Sequence, residues 1–81
     1  MHDPRYTELR ALLLAERERA GLSQEQLAGR LGKPHRYVSL YERGELRLDF
    51  VEYLDVARAL GIDGKALFEK LLNRISWPRD A

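Results

Sequence analysis

The chain has no cysteine and only two histidines, His2 and His35. Without cysteine it can form no disulfide, no thiolate metal site and no cysteine nucleophile, and two histidines provide little material for an imidazole cluster. We therefore expect no cofactor, no metal and no enzymatic activity. Paired carboxylates such as Asp49 and Glu52 are explained by helix capping, so they need no acid–base role.

Long apolar segments are also missing. No hydrophobic run approaches the ~20 residues needed to span a bilayer, and the N-terminal sequence MHDPR has no signal-peptide pattern. We expect a cytoplasmic protein with no membrane partner. The 81 residues, of which 44% are hydrophobic and 33% charged, predict one globular domain spanning residues 1–81.

The charges are segregated along the chain, although the formal net charge is only +1. Residues 30–47 contain five basic and two acidic side chains, a net charge of +3, whereas residues 48–63 carry a net charge of −3. A basic segment next to an acidic one indicates that one part of the protein meets a polyanion.

Start and stop signals predict five short helices and no strand. Capping residues or a proline at the first turn predict where the helices begin, at Asp3-Pro4, Ser23 with Gln26, Pro34, Asp49 with Glu52, and Asp63. Glycines predict where four of them end, at Gly21, Gly32, Gly44 and Gly61. Helical spacing predicts the inward residues of the fourth helix as Val51, Leu54, Ala57 and Leu60, and the apolar residues of the fifth as Leu67, Phe68, Leu71, Leu72 and Ile75.

Residues 24–43 predict two helices that cross steeply over a tight turn. Ala28 is small enough to allow close contact at the crossing, and Gly32 tolerates the positive φ that the turn requires. Val38 and Tyr41 lie three residues apart, so both can pack the second helix against the first. This pattern is typical of a helix-turn-helix.

The sequence resembles the phage-repressor-like, or Cro/Xre, helix-turn-helix family. Three segments carry the resemblance in order and spacing: LSQEQLAGRLG, YVSLYERGE and LDFVEYLDVARALGID, at residues 22–32, 37–45 and 48–63. The likeness covers roughly residues 8–72. It implies an all-α, compact five-helix lambda-repressor-like fold. It also implies a transcriptional regulator that reads the DNA major groove with the helix at about 34–43 and binds a pseudo-palindromic operator as a dimer.

The resemblance also implies roles for individual residues. Base-contacting positions are His35, Arg36, Ser39 and Leu40, and phosphate-contacting positions are Gln24, Lys33, Arg43 and Arg47. Backbone N–H groups at Gly44 and Glu45 are further phosphate candidates, while Arg17 and Glu42 match a structural salt bridge.

Several of these roles have alternatives. Arg36 is the best base reader because its guanidinium can donate twice to guanine, yet it could equally bind a phosphate. Gln24, His35, Arg43 and Arg47 could simply be solvated. Leu40 departs from the family, which commonly has a polar or basic residue there, and it could contact a thymine methyl group or fold back near Phe50.

We expect a chain of this length to carry its own dimer interface. We expect it within residues 63–81, at the apolar side chains Leu71, Leu72, Ile75 and Trp77. The alternative for Trp77 is to cap the monomer core. The same motifs also fit an antitoxin of a toxin–antitoxin pair, which would bind a toxin protein and regulate its own operon. An interaction module without DNA binding is a third alternative, against which the basic segment argues.

Overall fold

The computed structural model describes residues 3–77, which form five α-helices and no strand within that range. The helices are α1 (Pro4–Arg19), α2 (Gln24–Leu31), α3 (Arg36–Glu42), α4 (Phe50–Leu60) and α5 (Gly64–Arg74). None of these helices is long and apolar enough to cross a membrane. The all-α, five-helix prediction is confirmed.

Capping side chains begin α2 and α4 as predicted. Ser23 Oγ accepts from the backbone N–H of Gln26 at 3.0 Å, and the Gln26 side chain accepts from the N–H of Ser23 at 2.8 Å. Asp49 and Glu52 make the same reciprocal pair at 2.7 and 2.8 Å. Each pair satisfies two N–H groups that a helix start would otherwise leave unbonded, so both starts are fixed locally.

The third helix begins later than its sequence predicts. Pro34 lies in the turn, where its carbonyl accepts from the N–H of Tyr37 at 3.0 Å, and α3 itself starts at Arg36 and ends at Glu42. His35 precedes it with helical φ and ψ but caps it with no side-chain hydrogen bond. The predicted span of 34–43 is therefore corrected to 36–42, because the proline starts a tighter turn first.

The turn between α2 and α3 depends on Gly32. Its φ of +66° lies in the left-handed region. From there the N–H groups of Gly32 and Lys33 reach back to the carbonyls of Gly29 and Ala28 at 3.1 and 3.0 Å. These bonds satisfy the last carbonyls of α2, and the chain reverses direction at once.

The core lies between all five helices and is built from twelve buried hydrophobic residues: Leu12, Leu13, Leu27, Ala28, Tyr37, Val38, Tyr41, Tyr53, Val56, Ala57, Leu60 and Leu67. α1 packs against α3 and α5, α2 against α3 and α4, and α4 against α5. The helix-turn-helix is thus held between α1 on one side and α4 on the other.

The inward face of α4 differs from its prediction. Ala57 and Leu60 are buried as expected, but Val51 is 64% exposed and Leu54 43% exposed, and Tyr53 and Val56 take their place in the core. Residues 53, 56, 57 and 60 form one stripe at helical spacing. Because α4 is apolar on two sides, its sequence pattern does not decide which side is buried.

Candidate nucleic-acid interface

The crossing of α2 and α3 decides which side chains of α3 face outward. Ala28 is completely buried at this crossing, together with Leu27 of α2 and Val38 of α3. Tyr37 and Tyr41 are also buried and meet edge to face, with ring centroids 5.8 Å apart. The inner side of α3 is therefore filled, and Arg36 points away from the core.

The outward side begins with a basic surface at the start of α3. Lys33, His35 and Arg36 are all exposed. Lys33 Nζ lies 5.3 Å from the centre of the Tyr37 ring, and His35 Nδ1 lies 3.4 Å from a carboxylate oxygen of Glu25. Lys33 is thus held by a cation–π contact, whereas the Arg36 guanidinium projects without an ion pair to any described residue.

The other two predicted base-contacting residues are less exposed. Ser39 is half-buried, and its hydroxyl donates to the carbonyl of Arg36 at 3.0 Å, one turn back in α3. Leu40 is half-buried as well, and its carbonyl accepts from the N–H groups of Glu45 and Leu46. Both residues therefore lie at the edge of the outward side.

A salt bridge joins α1, α2 and α3. Arg17 Nε and Nη2 donate to the two carboxylate oxygens of Glu42 at 2.7 and 3.2 Å, and Arg17 Nη1 donates to the carbonyl of Leu22 at 2.9 Å. The Glu42 carboxylate is almost completely buried, with 3% of its side chain exposed. Gln24 Nε2 also donates to Glu42, at 2.8 Å. This hydrogen bond to Glu42 of α3 fixes the side chain of Gln24, the first residue of α2.

The loop after α3 contains two of the predicted phosphate contacts. Arg43 Nε pairs with the carboxylate of Glu45 at 3.1 Å, and both side chains remain more than half exposed. The backbone N–H groups of Gly44 and Glu45 donate to the carbonyls of Tyr41 and Leu40, at 3.1 and 2.9 Å. The expectation that these two N–H groups reach a phosphate is corrected, because they already close the last turn of α3.

Two residues of α1 that the sequence analysis missed lie against this loop. Tyr6 donates its hydroxyl to the carbonyl of Leu48 at 3.0 Å, and Arg47 lies over the Tyr6 ring, with Cζ 4.7 Å from its centre. Arg10 packs across Gly44, where an added Cβ would overlap the Arg10 guanidinium. The spacing in the sequence could have identified Arg10, because it precedes Arg17 by two helical turns and therefore lies on the same side of α1.

Burial raises the pKa of the tyrosines that support α3 and α4. Removal from water is the largest cause that raises the pKa of Tyr37 to about 12, with the nearby carboxylate of Glu52 adding to it. Burial also raises the pKa of Tyr41 and of Tyr53. The hydrogen bond with Glu42 raises the pKa of Arg17.

Comparison with known proteins identifies a matching family. A model of the family described as a helix-turn-helix domain matches residues 8–71. The chain belongs to the Xre-like helix-turn-helix proteins. An XRE-family-like protein from Pseudomonas syringae pv. tomato str. DC3000 is similar at 44% identity over 90% of this chain and 89% of that one, with a TM-score of 0.84.

A second solved structure shares the fold. It is a mutant of the restriction-modification controller protein C.Esp1396I, at 20% identity over 91% of this Xre-like chain and 94% of that one, again with a TM-score of 0.84. At this identity the likeness concerns the fold alone. A search of curated proteins found no match.

The predicted dimer residues of this Xre-like protein are divided between the core and the surface. Leu71 and Ile75 are half-buried, and Leu71 packs against the core. Leu72 is 41% exposed. Trp77 is 55% exposed, and Arg5 lies over its ring at 5.4 Å. Residues 78–81 of the predicted segment lie outside the described residues.

A larger apolar surface spans α4 and α5. It is formed by five exposed side chains, and we name it the α4/α5 apolar face: Phe50, Val51, Leu54, Phe68 and Leu72. Phe50, Leu54 and Phe68 line one shallow groove, with Lys65 at its edge. Among these five residues, Leu72 was predicted as a dimer contact, whereas Val51 and Leu54 were predicted to face the core.

Proposed function

We propose that this protein is a sequence-specific transcriptional regulator that binds double-stranded DNA in the cytoplasm, with α3 in the major groove. The observation that carries the proposal is the exposed basic surface at the start of α3, whose inner side is completely filled by core residues. In a helix-turn-helix, the first residues of the second helix are those that meet base edges. Arg36 is the first residue of α3, and Lys33 and His35 lie in the turn just before it.

The electrostatics of the surface support this role. Lys33, Arg36 and Arg47 make no ion pair with any residue between 3 and 77, so their charge is available to a polyanion. Arg36 can donate two parallel hydrogen bonds to a guanine edge. We assign base contacts to His35, Arg36, Ser39 and Leu40, and phosphate contacts to Gln24, Lys33, Arg43 and Arg47.

Gln24 is well placed for a phosphate contact. Its Nε2 carries two hydrogens, of which one points to the Glu42 carboxylate at 2.8 Å. The second hydrogen and the free N–H groups at the start of α2 remain to meet an anion. The Arg17–Glu42 salt bridge holds Gln24 before DNA arrives, so less side-chain entropy is lost on binding.

We further propose that the protein binds DNA as a homodimer that forms through the α4/α5 apolar face, which includes the predicted contact Leu72. Phe50 and Phe68 are 69% and 46% exposed, and a monomer leaves both in water. Lys65 is exposed beside this groove. A two-fold interface can bury the same apolar face of both subunits against each other. Leu71, Ile75 and Trp77 would then extend the contact or support its edge.

Selection of bound sites from random duplex DNA tests the function. We expect a palindromic consensus sequence, which would indicate both DNA reading and dimer symmetry. Arg36→Ala should cost about 1–3 kcal/mol and relax the preference at one base pair, whereas Lys33→Ala should weaken all sequences alike. Arg58→Ala, an exposed α4 residue, is the matched control. Failure of the wild-type protein to bind any duplex would contradict the proposal.

Sedimentation tests the dimer. Phe68→Ser together with Leu54→Ser should shift the protein from dimer to monomer, whereas Trp77→Ser alone should leave a larger dimeric fraction. An unchanged mass for the double variant would contradict the assigned face. A monomeric wild-type protein that co-purifies with a different small protein would favour the antitoxin alternative.

A further inference from the structure

Three successive backbone N–H groups of the loop after α3 already have hydrogen-bond partners within the protein. The N–H groups of Gly44, Glu45 and Leu46 all donate to carbonyls of α3. The Arg43 guanidinium is paired with Glu45. A phosphate that approaches this loop must therefore be held mainly by other side chains, and the structure places two guanidinium groups there.

The first of these groups is Arg47, and the second is Arg10. Arg10 lies 34 residues before Gly44 in the chain, yet its guanidinium fills the space above Gly44 that any other residue would occupy with its Cβ. Gly44 has a φ of +82°, which a glycine adopts without strain. The absence of a side chain at Gly44 is thus what admits Arg10 to the surface of the loop.

Arg10 has donors available for a ligand. Its side chain is half-buried, and Nη2 makes one long hydrogen bond to the Thr7 hydroxyl at 3.4 Å. Within residues 3–77 it makes no ion pair. A guanidinium has five N–H donors in a planar fork that matches the oxygens of a phosphate, so most of them remain unused here.

We propose that Arg10 binds a DNA backbone phosphate beside Arg47, so that α1 forms part of the DNA-binding surface. This inference rests on the proposed function. Tyr6, one turn before Arg10, is a positioning residue in this arrangement, because its ring lies under Arg47 and its hydroxyl holds the backbone at Leu48. The contact adds affinity for DNA of any sequence, since a phosphate carries no base identity.

The test measures binding of a random-sequence duplex by fluorescence anisotropy over a series of salt concentrations. Each phosphate contact contributes about 0.9 to the slope of log affinity against log salt, so Arg10→Ala should reduce the slope by about that amount. With this change of slope, the affinity loss caused by the substitution is about eightfold greater at 0.1 M salt than at 1 M salt. A duplex selected for tight binding should show the same loss.

Arg19→Ala is the matched control. It removes the same charge from the same helix, but Arg19 is nine residues away and therefore on the opposite side of α1. Arg10→Gln guards against a folding defect, because it keeps the first methylene groups and a hydrogen-bonding amide while it removes the charge. We expect both Arg10 variants to lower the slope and Arg19→Ala to leave it unchanged.

Two results would overturn the inference. One is an unchanged slope for Arg10→Gln, measured on protein whose circular dichroism matches the wild type. The other is an equal loss for the Arg10 and Arg19 variants, which would indicate an effect of net charge alone. In both cases wild-type protein still binds DNA and the proposed function stands. Wild-type protein that binds no duplex at any salt concentration would remove both.

Discussion

Replacement of Glu42 by alanine should remove the carboxylate that connects three helices. The change deletes two hydrogen bonds from Arg17 and one from Gln24, and it leaves Arg17 with the carbonyl of Leu22 as its remaining partner. Glu42 is 3% exposed and Arg17 12% exposed, so water replaces these contacts poorly. Loss of one partner from a buried ion pair costs about 3–5 kcal/mol, and we expect the lower end because Arg17 keeps one bond.

Urea denaturation followed by circular dichroism measures this cost. A chain of this length is expected to have a free energy of unfolding of about 4–12 kcal/mol, so a loss of ~3 kcal/mol is a large share of it. With a urea dependence near ~1.5 kcal/mol per molar, the midpoint should fall by roughly 2 M. DNA affinity should also fall, because Gln24 is released from its fixed position.

The exposed pair Arg43–Glu45 provides the control. It has the same chemistry, but both side chains are more than half exposed, so Glu45→Ala should cost no more than about 0.5 kcal/mol. The double variant Arg17→Ala, Glu42→Ala should cost roughly 2 kcal/mol less than the sum of its single variants. Strict additivity, or a cost for Glu42→Ala as small as that of Glu45→Ala, would refute the role given to burial.

Three further predictions concern single residues. Gly29→Ala should raise the free energy of unfolding by about 0.5–1 kcal/mol, because Gly29 lies inside α2 with open space around it. Gly44→Ala should lower the free energy of unfolding by at least ~1 kcal/mol, because the φ of Gly44 is +82°. Tyr41→Phe should leave thermal stability unchanged or raise it, since the buried Tyr41 hydroxyl has no hydrogen-bond partner among the described residues. Folding raises the pKa of Tyr37 from 10.0 to about 12. The neutral Tyr37 hydroxyl should therefore stabilise the folded state fully below pH 10, and this contribution should be lost as the pH rises from 10 to 12. Alkaline unfolding followed by tyrosinate absorbance can measure the loss.

Local signals made much of the fold predictable. A capping box involves only residues three apart, so Ser23 with Gln26 and Asp49 with Glu52 could be read from the sequence, and both form. The left-handed turn at Gly32 depends on one residue and was equally predictable from the sequence. The family likeness then placed Arg17 and Glu42 at matching positions, and the structure brings them together at 2.7 Å.

Features that depend on distant contacts were not predictable in the same way. The buried side of α4 was misassigned because Val51 and Leu54 are as apolar as Val56, and only the positions of α2 and α5 decide between the two sides. Arg10 was missed because its neighbour Gly44 lies on another element. From sequence alone, a charged residue on a helix is expected to be solvent-exposed until its packing partner is known.

Of the seven residues of α3, three are buried in the core, Glu42 is held in its salt bridge, Ser39 and Leu40 are half-buried, and Arg36 is exposed. Tyr37, Val38 and Tyr41 anchor the helix from within, and Arg36 begins its opposite side. A change at the exposed Arg36 opens no cavity and strands no polar group, so it carries little thermodynamic cost. The side chain that α3 presents to its surroundings at this position can therefore change while the packing that holds the helix stays the same.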